Sequence, residues 1–400
     1  MIKKKTAIVI TAAISITLML ATFIITFLVV RNSPNAKGEL YVTASQYQTY
    51  MKYIKIDKVQ EIIENSYYKN VKEDDLVNGA LKGMVASLDD PYSVYYTKEE
   101  YKKYTDKMKG KYTGIGVVIK TDPADGLAYV IQVYDGAPAK EAGLKVGDKL
   151  VSADGEKLSG LDLEMVAEKI VGPEGTYVTL VIIQDGKQIT KKIKRRAVEM
   201  NMVSQKMIDN EIGMITITQF NGDCVEGFTN AMDDLKKKNA KGVIIDLRNN
   251  PGGLLSDVCK ILDTLLPAGT IVYTQNKEGK QDVYSSDANY WEIPMVVLVN
   301  GYSASASEVF AGAVQDYGRA KLVGVKTYGK GVVQTILPIE ETGAGMKITT
   351  SNYYTPKGRN INGTGIIPDY IVKQEKEEQQ TSQVDVQYQK AMEIIKGMMK

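Results

Sequence analysis

The chain has 400 residues, 44% of them apolar and 24% charged, with 50 Lys plus Arg against 48 Asp plus Glu and a formal net charge of +2. That composition is that of ordinary globular protein, so disorder is not the default, and so even a charge balance argues against a nucleic-acid partner, which demands a concentrated basic surface. Not one histidine is present, so a Ser-His-Asp mechanism is excluded; with no CxxC pair either, there is no recognisable zinc ligand set, no metal site and nothing that requires a cofactor.

Thr6 to Val30 carries no charge over 25 residues, which at helical rise gives about 37 Å, enough to cross a bilayer core with some tilt. Residues 1–35 therefore read as a cytoplasmic tip and a single transmembrane anchor. Lys3, Lys4 and Lys5 precede the span and only Arg31 follows closely, so the positive-inside bias puts the N-terminus in the cytoplasm and the rest on the extracytoplasmic side of the cell membrane. The stretch is longer than a signal-peptide h-region and lacks a small-x-small site at its end; a cleaved signal is the rival reading, and it puts the functional domains on the same side.

Residues 36–110 read as a helical N-terminal unit. After a short polar tether, Ile54, Val59, Ile62 and Ile63 recur at helical spacing, a second helix is expected from Asp74 through Val85, and Pro91 stops propagation at Leu88-Asp89-Asp90-Pro91-Tyr92-Ser93. The Tyr- and Lys-rich run to Lys111 reads as another amphipathic helix. Residues 111–197 change to short β-branched runs split by turns: Val117 to Ile119, Tyr129 to Val133, Lys149 to Val151 and Val178 to Ile182. Leu163, Val166, Ala167 and Ile170 place one helix among them, ahead of Gly172-Pro173-Glu174-Gly175.

Residues 198–372 alternate strands with helices. Gly213 to Thr218, Val243 to Leu247 and Met295 to Val299 read as strands, Leu254 to Leu266 and Ser307 to Tyr317 as helices, which predicts an α/β core with parallel strands. Cys224 and Cys259 could close one disulfide, but a chain of this size has core enough without it, and both are read as buried thiols. In residues 373–400, Lys373 to Ser382 is a charged, Gln-rich linker and Val386 to Met399 a closing helix whose apolar face needs a partner.

Within the β-rich part, the run from Asp135-Gly136-Ala137-Pro138 through Ala142-Gly143-Leu144-Lys145-Val146-Gly147-Asp148-Lys149-Leu150 resembles the signature of a PDZ domain, over about Lys111 to Arg196. The resemblance implies a peptide groove in which Gly114, Ile115 and Gly116 hold a terminal carboxylate on backbone amides and the following strand offers an edge for a peptide to join. The bland alternative is that Gly114 and Gly116 only relieve a bend.

Ser305, in Ser303-Ala304-Ser305-Ala306-Ser307-Glu308, sits at the mouth of a predicted helix, where free amides and the helix dipole favour developing negative charge. Ser305 with Glu308 also satisfies the S-x-x-E capping box, so on this segment alone a simple cap stands beside a nucleophile. With no histidine, an activated serine needs another base, usually lysine. Lys330 lies between two glycines ahead of Val332-Val333, where a desolvated amine would accept a proton near neutral pH, and Gln334 is four residues on, able to orient it. Arg248-Asn249-Asn250-Pro251-Gly252-Gly253 ends a buried strand in a turn that exposes amides to a carbonyl oxygen. Gly324-Val325-Lys326-Thr327-Tyr328-Gly329-Lys330 also fits the opening of a P-loop, although Gly331 replaces the Mg²⁺-ligating hydroxyl.

Together these three segments resemble the carboxy-terminal processing proteases, the tail-specific serine peptidases. The resemblance covers nearly everything from Ile54 to Lys400, including Asp90-Pro91-Tyr92-Ser93, the PDZ insertion, Tyr353-Tyr354-Thr355-Pro356 and Gly365-Ile366-Ile367-Pro368-Asp369. It implies an α/β multidomain protein: N-terminal membrane helix, helical unit, PDZ module, α/β protease core with a Ser-Lys site, and C-terminal helix. It further implies Ser305 as nucleophile, Lys330 as general base, Gln334 as its orienting residue and the amides of Ala306 and Gly252 as oxyanion donors. The substrates it implies are polypeptide C-terminal tails delivered by the PDZ module. The helical unit and the closing helix resemble the family's oligomerisation elements, which implies a homodimer. One departure is Val171, where many relatives carry a basic residue, so a polar link at that turn is not expected. The rival reading is a catalytically inactive, membrane-tethered PDZ scaffold.

Overall fold

A computed structural model describes residues 4–32, 42–122, 124–134, 136–161, 163–199, 201–373 and 384–400. The expected tether, the linker from residue 374 and Asp135 of the PDZ signature lie outside these residues. Contacts divide the chain into Met1–Met84 and Val85–Lys400.

The first unit is helical. Helix α1 (Lys4–Asn32) contains a segment, Val9–Arg31, long and apolar enough to cross a bilayer. Helix α2 (Ala44–Ser66) opens on a reciprocal capping box, Gln46 N to Thr43 Oγ1 at 3.2 Å and Thr43 N to Gln46 Oε1 at 2.8 Å. Helix α3 (Glu73–Ala86) carries Glu73, Asp74 and Asp75 in its first turn, where the helix dipole favours them.

The second unit begins with β1 (Val94–Tyr96) and α4 (Lys98–Met108), the latter boxed by Thr97 and Glu100. Then comes the PDZ module: β2 (Lys111–Gly114), β3 (Val117–Thr121), β4 (Ala128–Val133), α5 (Pro138–Glu141), β5 (Lys149–Ala153), β6 (Glu156–Lys157), α6 (Leu163–Ile170), β7 (Tyr177–Gln184), β8 (Lys187–Lys194) and β9 (Arg196–Glu199). Its antiparallel sheet runs β3-β4-β5-β7-β8, while β2 and β9 pair at the base. Strand β7 shows why the sequence alternates: Val178, Leu180 and Ile182 point into a core with Ile115, Val130, Leu150 and Ile170. Among the described residues β3 pairs only with β4, so its outer edge is open, and α6 packs beside it. At the Val171 turn the bracing comes from inside the module: Arg195, nearly buried, donates from Nε to Ile170 O at 2.7 Å and from Nη1 to Tyr177 O at 2.7 Å.

The core follows: β10 (Val203–Ile208), β11 (Ile212–Ile217), α7 (Cys224–Lys237), β12 (Gly242–Asp246), α8 (Leu255–Asp263), β13 (Gly269–Asn276), β14 (Gln281–Ser286), β15 (Met295–Val299), α9 (Ala306–Asp316), β16 (Lys321–Gly324), β17 (Val332–Ile339), β18 (Ala344–Tyr354), β19 (Tyr370–Ile371) and α10 (Val386–Met398). The main sheet runs β10-β11-β12-β15-β16-β19, parallel except for β10. Every residue of β12 and β15 is buried, because helices α7, α8 and α9 cover one face and α10 the other. Ala391 and Ile395 of α10 are fully buried against Ile212, Ile244 and Leu298, which is the partner its apolar face required. Cys224 and Cys259 are free and buried, and burial pushes each thiol up to about 12.

Beyond the parallel core that the alternation predicts, there is a second, antiparallel sheet, β1-β18-β13-β14 with β17 on β18. It draws β1 from the stretch read as helical, which a three-residue strand is too short to signal in sequence.

Candidate active site

The loops that leave the C-terminal ends of the parallel strands converge, as they do at ligand sites of open α/β sheets. After β12 comes Leu247 to Gly253, after β15 Asn300 to Ser305, and after β16 Val325 to Gly331.

The three serines of the 303–307 run have different fates. Ser303 and Ser307 are fully buried and spend their hydroxyls on main-chain carbonyls, Ser303 on Leu247 O at 2.8 Å and Ser307 on Asn250 O at 2.9 Å. Ser305 alone of the three lines a cavity of about 260 Å³. Its backbone has φ +53° and ψ −115°, a region that costs a residue with a Cβ of order 1–3 kcal/mol and that clusters at functional sites. Ser305 also closes the helix end, since it forms a capping box with Glu308, whose amide further makes a 2.8 Å hydrogen bond to the Ser305 carbonyl.

Glu308 does more than close a capping box. Its fully buried carboxylate accepts at Oε2 from Ser305 N (2.9 Å) and Lys330 N (2.8 Å), and at Oε1 from Thr327 Oγ1 (2.6 Å) and Gly329 N (2.7 Å). Tyr353 adds a second bracket, its hydroxyl donating to Lys330 O at 2.6 Å and to Ser305 O at 3.1 Å. Burial, reinforced by Glu308, holds the Tyr353 phenol well above its ordinary range, so it stays a donor. Two side chains thus pin the backbones of residues 305 and 330 together.

Gly252 has φ +103°, and a Cβ there would lie 2.7 Å from Ala304 O, 2.8 Å from Ser305 Cβ and 2.9 Å from Ala306 N. The missing side chain keeps open the space in front of the Ala306 amide, which no acceptor takes among the described residues. The Gly252 amide itself donates to Asn250 Oδ1 at 2.9 Å, whereas the Gly253 amide has no acceptor among the described residues.

Lys330 and Gln334 line the same cavity as Ser305, Gly252 and Ala306. The Lys330 ammonium lies over the Tyr92 ring, 4.5 Å from its centre. Burial, aided by the nearby Lys347 cation, pushes it below the ordinary lysine range, against the opposing pull of Asp90 and Glu308. Gln334 does not meet that amine here: its amide donates to Thr349 Oγ1 at 3.2 Å. The Asp90-Pro91-Tyr92-Ser93 segment borders the site. Although burial works against its charge, hydrogen bonds from Ser93, Thr349 and the Tyr92 amide hold the Asp90 carboxyl below its usual range. Gly324 to Lys330 leads from β16 into strand β17 and not into a helix, so no P-loop forms.

A larger pocket of about 880 Å³ is lined by other residues of these loops, among them Asp246, Arg248, Asn300 and Tyr302. It holds the latch between the Arg248 loop and α10: Arg248 pairs with Asp246 at 2.7 Å and with Asp385, the N-cap of α10, at 2.8 Å. In the PDZ module, Ile115 is fully buried, Gly116 has φ +77° with Ala137 against it, and no acceptor takes the amides of Ile115 and Gly116 among the described residues. Glu308, Tyr353, Asn250 and Tyr92 were not singled out from sequence. Glu308 carried a signal, but as half of a capping box; the others carried none beyond lying in motif segments.

A parallel core with a strained serine at a helix mouth, joined to a PDZ module, defines a class that the comparisons identify. Residues 211–372 match the family model of Peptidase family S41, residues 129–184 that of the PDZ domain and residues 19–100 that of the activating protease CtpB N-terminal domain. The carboxy-terminal-processing protease of Bartonella bacilliformis is 36% identical over 83% of this chain and 77% of its own length. The carboxy-terminal processing protease CtpA of Bacillus subtilis is 35% identical over 79% and 68%. Among solved structures, the photosystem II D1 C-terminal processing protease is similar with a TM-score of 0.52 at 28% identity, over 83% of this chain and 94% of that one. The chain belongs to peptidase family S41, among the serine-type carboxy-terminal processing proteases, and it carries a PDZ domain.

Proposed function

We propose that this protein is a membrane-anchored endopeptidase that cuts polypeptide C-terminal tails by a Ser-Lys mechanism. The observation that carries it is that Ser305, alone of the three serines in its run, faces the cavity that Lys330 also lines, with Glu308 and Tyr353 bracketing both backbones. Lys330 is the base. In its neutral form it takes the Ser305 proton as Oγ attacks the substrate carbonyl, then returns it to the leaving amine as the peptide bond breaks and an acyl-enzyme forms. The same amine deprotonates the water that hydrolyses the ester, and the proton goes back to Ser305. For this the Lys330 side chain must leave Tyr92, give up its proton and turn its neutral amine to the hydroxyl, and Gln334 orients it there.

The oxyanion is received by the Ala306 amide and by the Gly252-Gly253 turn. Gly252 serves if its bond to Asn250 is shared, and the Gly253 amide stands beside it with none to break; such donors are worth about 3–4 kcal/mol each. Substrate tails add to the open edge of β3 beside α6, with the terminal carboxylate on the amides at Gly114, Ile115 and Gly116. The layout is an anchor at 1–35, a helical unit at 36–110, a PDZ domain at 111–197, a protease core at 198–372 and a linker with closing helix at 373–400. The domains after the span lie on the extracytoplasmic side, and a homodimer forms through the helical elements, which light scattering in detergent would read.

Ser305→Ala and Lys330→Ala are each expected to abolish cleavage of a C-terminally apolar peptide. Substantial turnover in either removes that residue from its role. An active-site serine reagent that labels the wild-type protein no more than it labels Ser305→Ala would favour the inactive scaffold.

A further inference from the structure

The residues lining the Ser305 cavity include two charged groups, Lys330 and Lys347, and both are cations. Lys330 has a part in the chemistry. Lys347 has none so far. It stands on β18, opposite Ile336 of β17 and Val94 of β1. Its ammonium lies 5.6 Å from the centre of the Tyr104 ring, which is itself stacked on Tyr96 at 4.9 Å, so the side chain is held against a rigid aromatic wall.

Among the described residues no ion pair holds Lys347. Asp90 is near enough to act on it, but that carboxylate is already engaged by Ser93 Oγ at 2.5 Å and by the Tyr92 amide at 3.1 Å. Burial pushes the Lys347 ammonium down from the usual lysine range; Asp90 opposes this and Lys107 adds to it. An ammonium half withdrawn from water without a partner is costly, and an incoming carboxylate restores what burial removes. The remaining walls, from Tyr104, Met108, Leu254, Val333 and Ile336, offer no competing anion.

Resting on the peptidase reading above, we propose that Lys347 is a carboxylate-binding subsite of the cleavage cavity. Its ammonium receives either the acidic side chain of a residue flanking the scissile bond or the free α-carboxylate of a short tail. The cavity then selects for anionic and against cationic peptides, independently of what the PDZ module selects.

The test uses the full chain in detergent and two series of quenched peptides. In the first, with amidated ends that the PDZ loop cannot hold as carboxylates, one Glu is moved through the positions on both sides of the scissile bond, with Gln as control. In the second, uncharged peptides of decreasing tail length carry a free or an amidated C-terminus. The expected result is a kcat/KM preference of about tenfold or more for Glu over Gln at one position, or for acid over amide at one length, the size of a hydrogen bond to a charged group away from bulk water. Lys347→Gln should bring that ratio to about one, and Lys347→Glu should invert it toward a Lys-containing peptide. A ratio unchanged in Lys347→Gln, or no preference in either series, overturns the subsite. So does a Lys347→Gln variant that slows all peptides by one factor and moves only the pH profile, since it would then act through Lys330. Anisotropy of the amidated peptides on Ser305→Ala protein reads the subsite without turnover. Lys347-dependent binding with no turnover by wild type would sink the peptidase reading and keep the anion site, and turnover without the preference would do the reverse.

Discussion

Replacing Glu308 by Gln changes one oxygen to an NH₂ group at the most heavily used carboxylate of the site. Each carboxylate oxygen serves two donors, Oε2 the amides of Ser305 and Lys330, Oε1 the Thr327 hydroxyl and the Gly329 amide. An amide side chain keeps one oxygen. If its nitrogen turns to the Oε1 side, Thr327 can rotate to accept while still receiving the Ile366 amide at 2.7 Å, and the Gly329 N–H is left unpaired in a buried place. If it turns to the Oε2 side, both the Ser305 and the Lys330 amides lose their acceptor. The cheaper orientation costs one unsatisfied donor and the charge behind the surviving bonds, about 2–4 kcal/mol in all. For a core of this size that is a fall in Tm of roughly 4–16 °C. Activity should suffer more than binding, because the two loops are no longer drawn to one point, and a misplacement near 1 Å is worth about 10² in rate. The assay is a thermal melt beside kcat and KM on a C-terminally apolar peptide, with Glu308→Asp, one methylene too short, as a second variant. A Glu308→Gln protein that melts with wild type and keeps its kcat would show that this carboxylate is not what joins the two loops.

Lys330→Met should trade function for stability. Because burial lowers the folded-state pKa of Lys330 beneath that of the unfolded chain, the unfolded state binds more protons between the two values, and stability rises with pH across that window. At neutral pH the Met variant should therefore melt higher than wild type, by a margin that shrinks as pH approaches the usual lysine range, while wild-type cleavage climbs through the same window; a Met variant less stable at every pH contradicts this. Tyr353→Phe removes the hydroxyl that serves Lys330 O and Ser305 O, at a cost of about 1–3 kcal/mol read by chemical denaturation, with kcat falling more than KM rises. Gly252→Ala puts a methyl group 2.9 Å from the Ala306 amide at a φ of +103°, and single-turnover rates should drop about 10²–10³-fold; a near-normal rate would move the oxyanion elsewhere.

Much of the fold was legible because its signals are local. The uncharged run of α1, the continuous apolar strands β12 and β15 and the PDZ signature each lie within one short window of sequence. The second sheet was not legible: β1 is three residues long, and although β13-β14 and β17-β18 are hairpins, the sheet forms only where β18 pairs with β1 and β13 far off in the chain, at registers no single segment reveals. Gln334 shows the limit at side-chain level. Spacing put it four residues from Lys330, but on strand β17 its amide finds Thr349 across the ladder.

By itself the sequence determined which chemistry was open to this protein. The absence of histidine removes one base, and the Ser305, Lys330 and Gly252 segments, a serine-alanine run, a lysine between glycines and a glycine turn, can be read wherever they stand. Only the tertiary structure decided which serine is exposed to a substrate and what holds it beside the lysine. Ser303 and Ser307 turn their hydroxyls to carbonyls that the neighbouring loop offers them, whereas Ser305 alone takes a positive φ and faces the cavity, and Glu308 becomes a bracket only when the loop after β16 delivers three donors to it. Hydrogen bonds between groups far apart in the chain exist once parallel strands have brought their ends together, and no local pattern encodes that meeting.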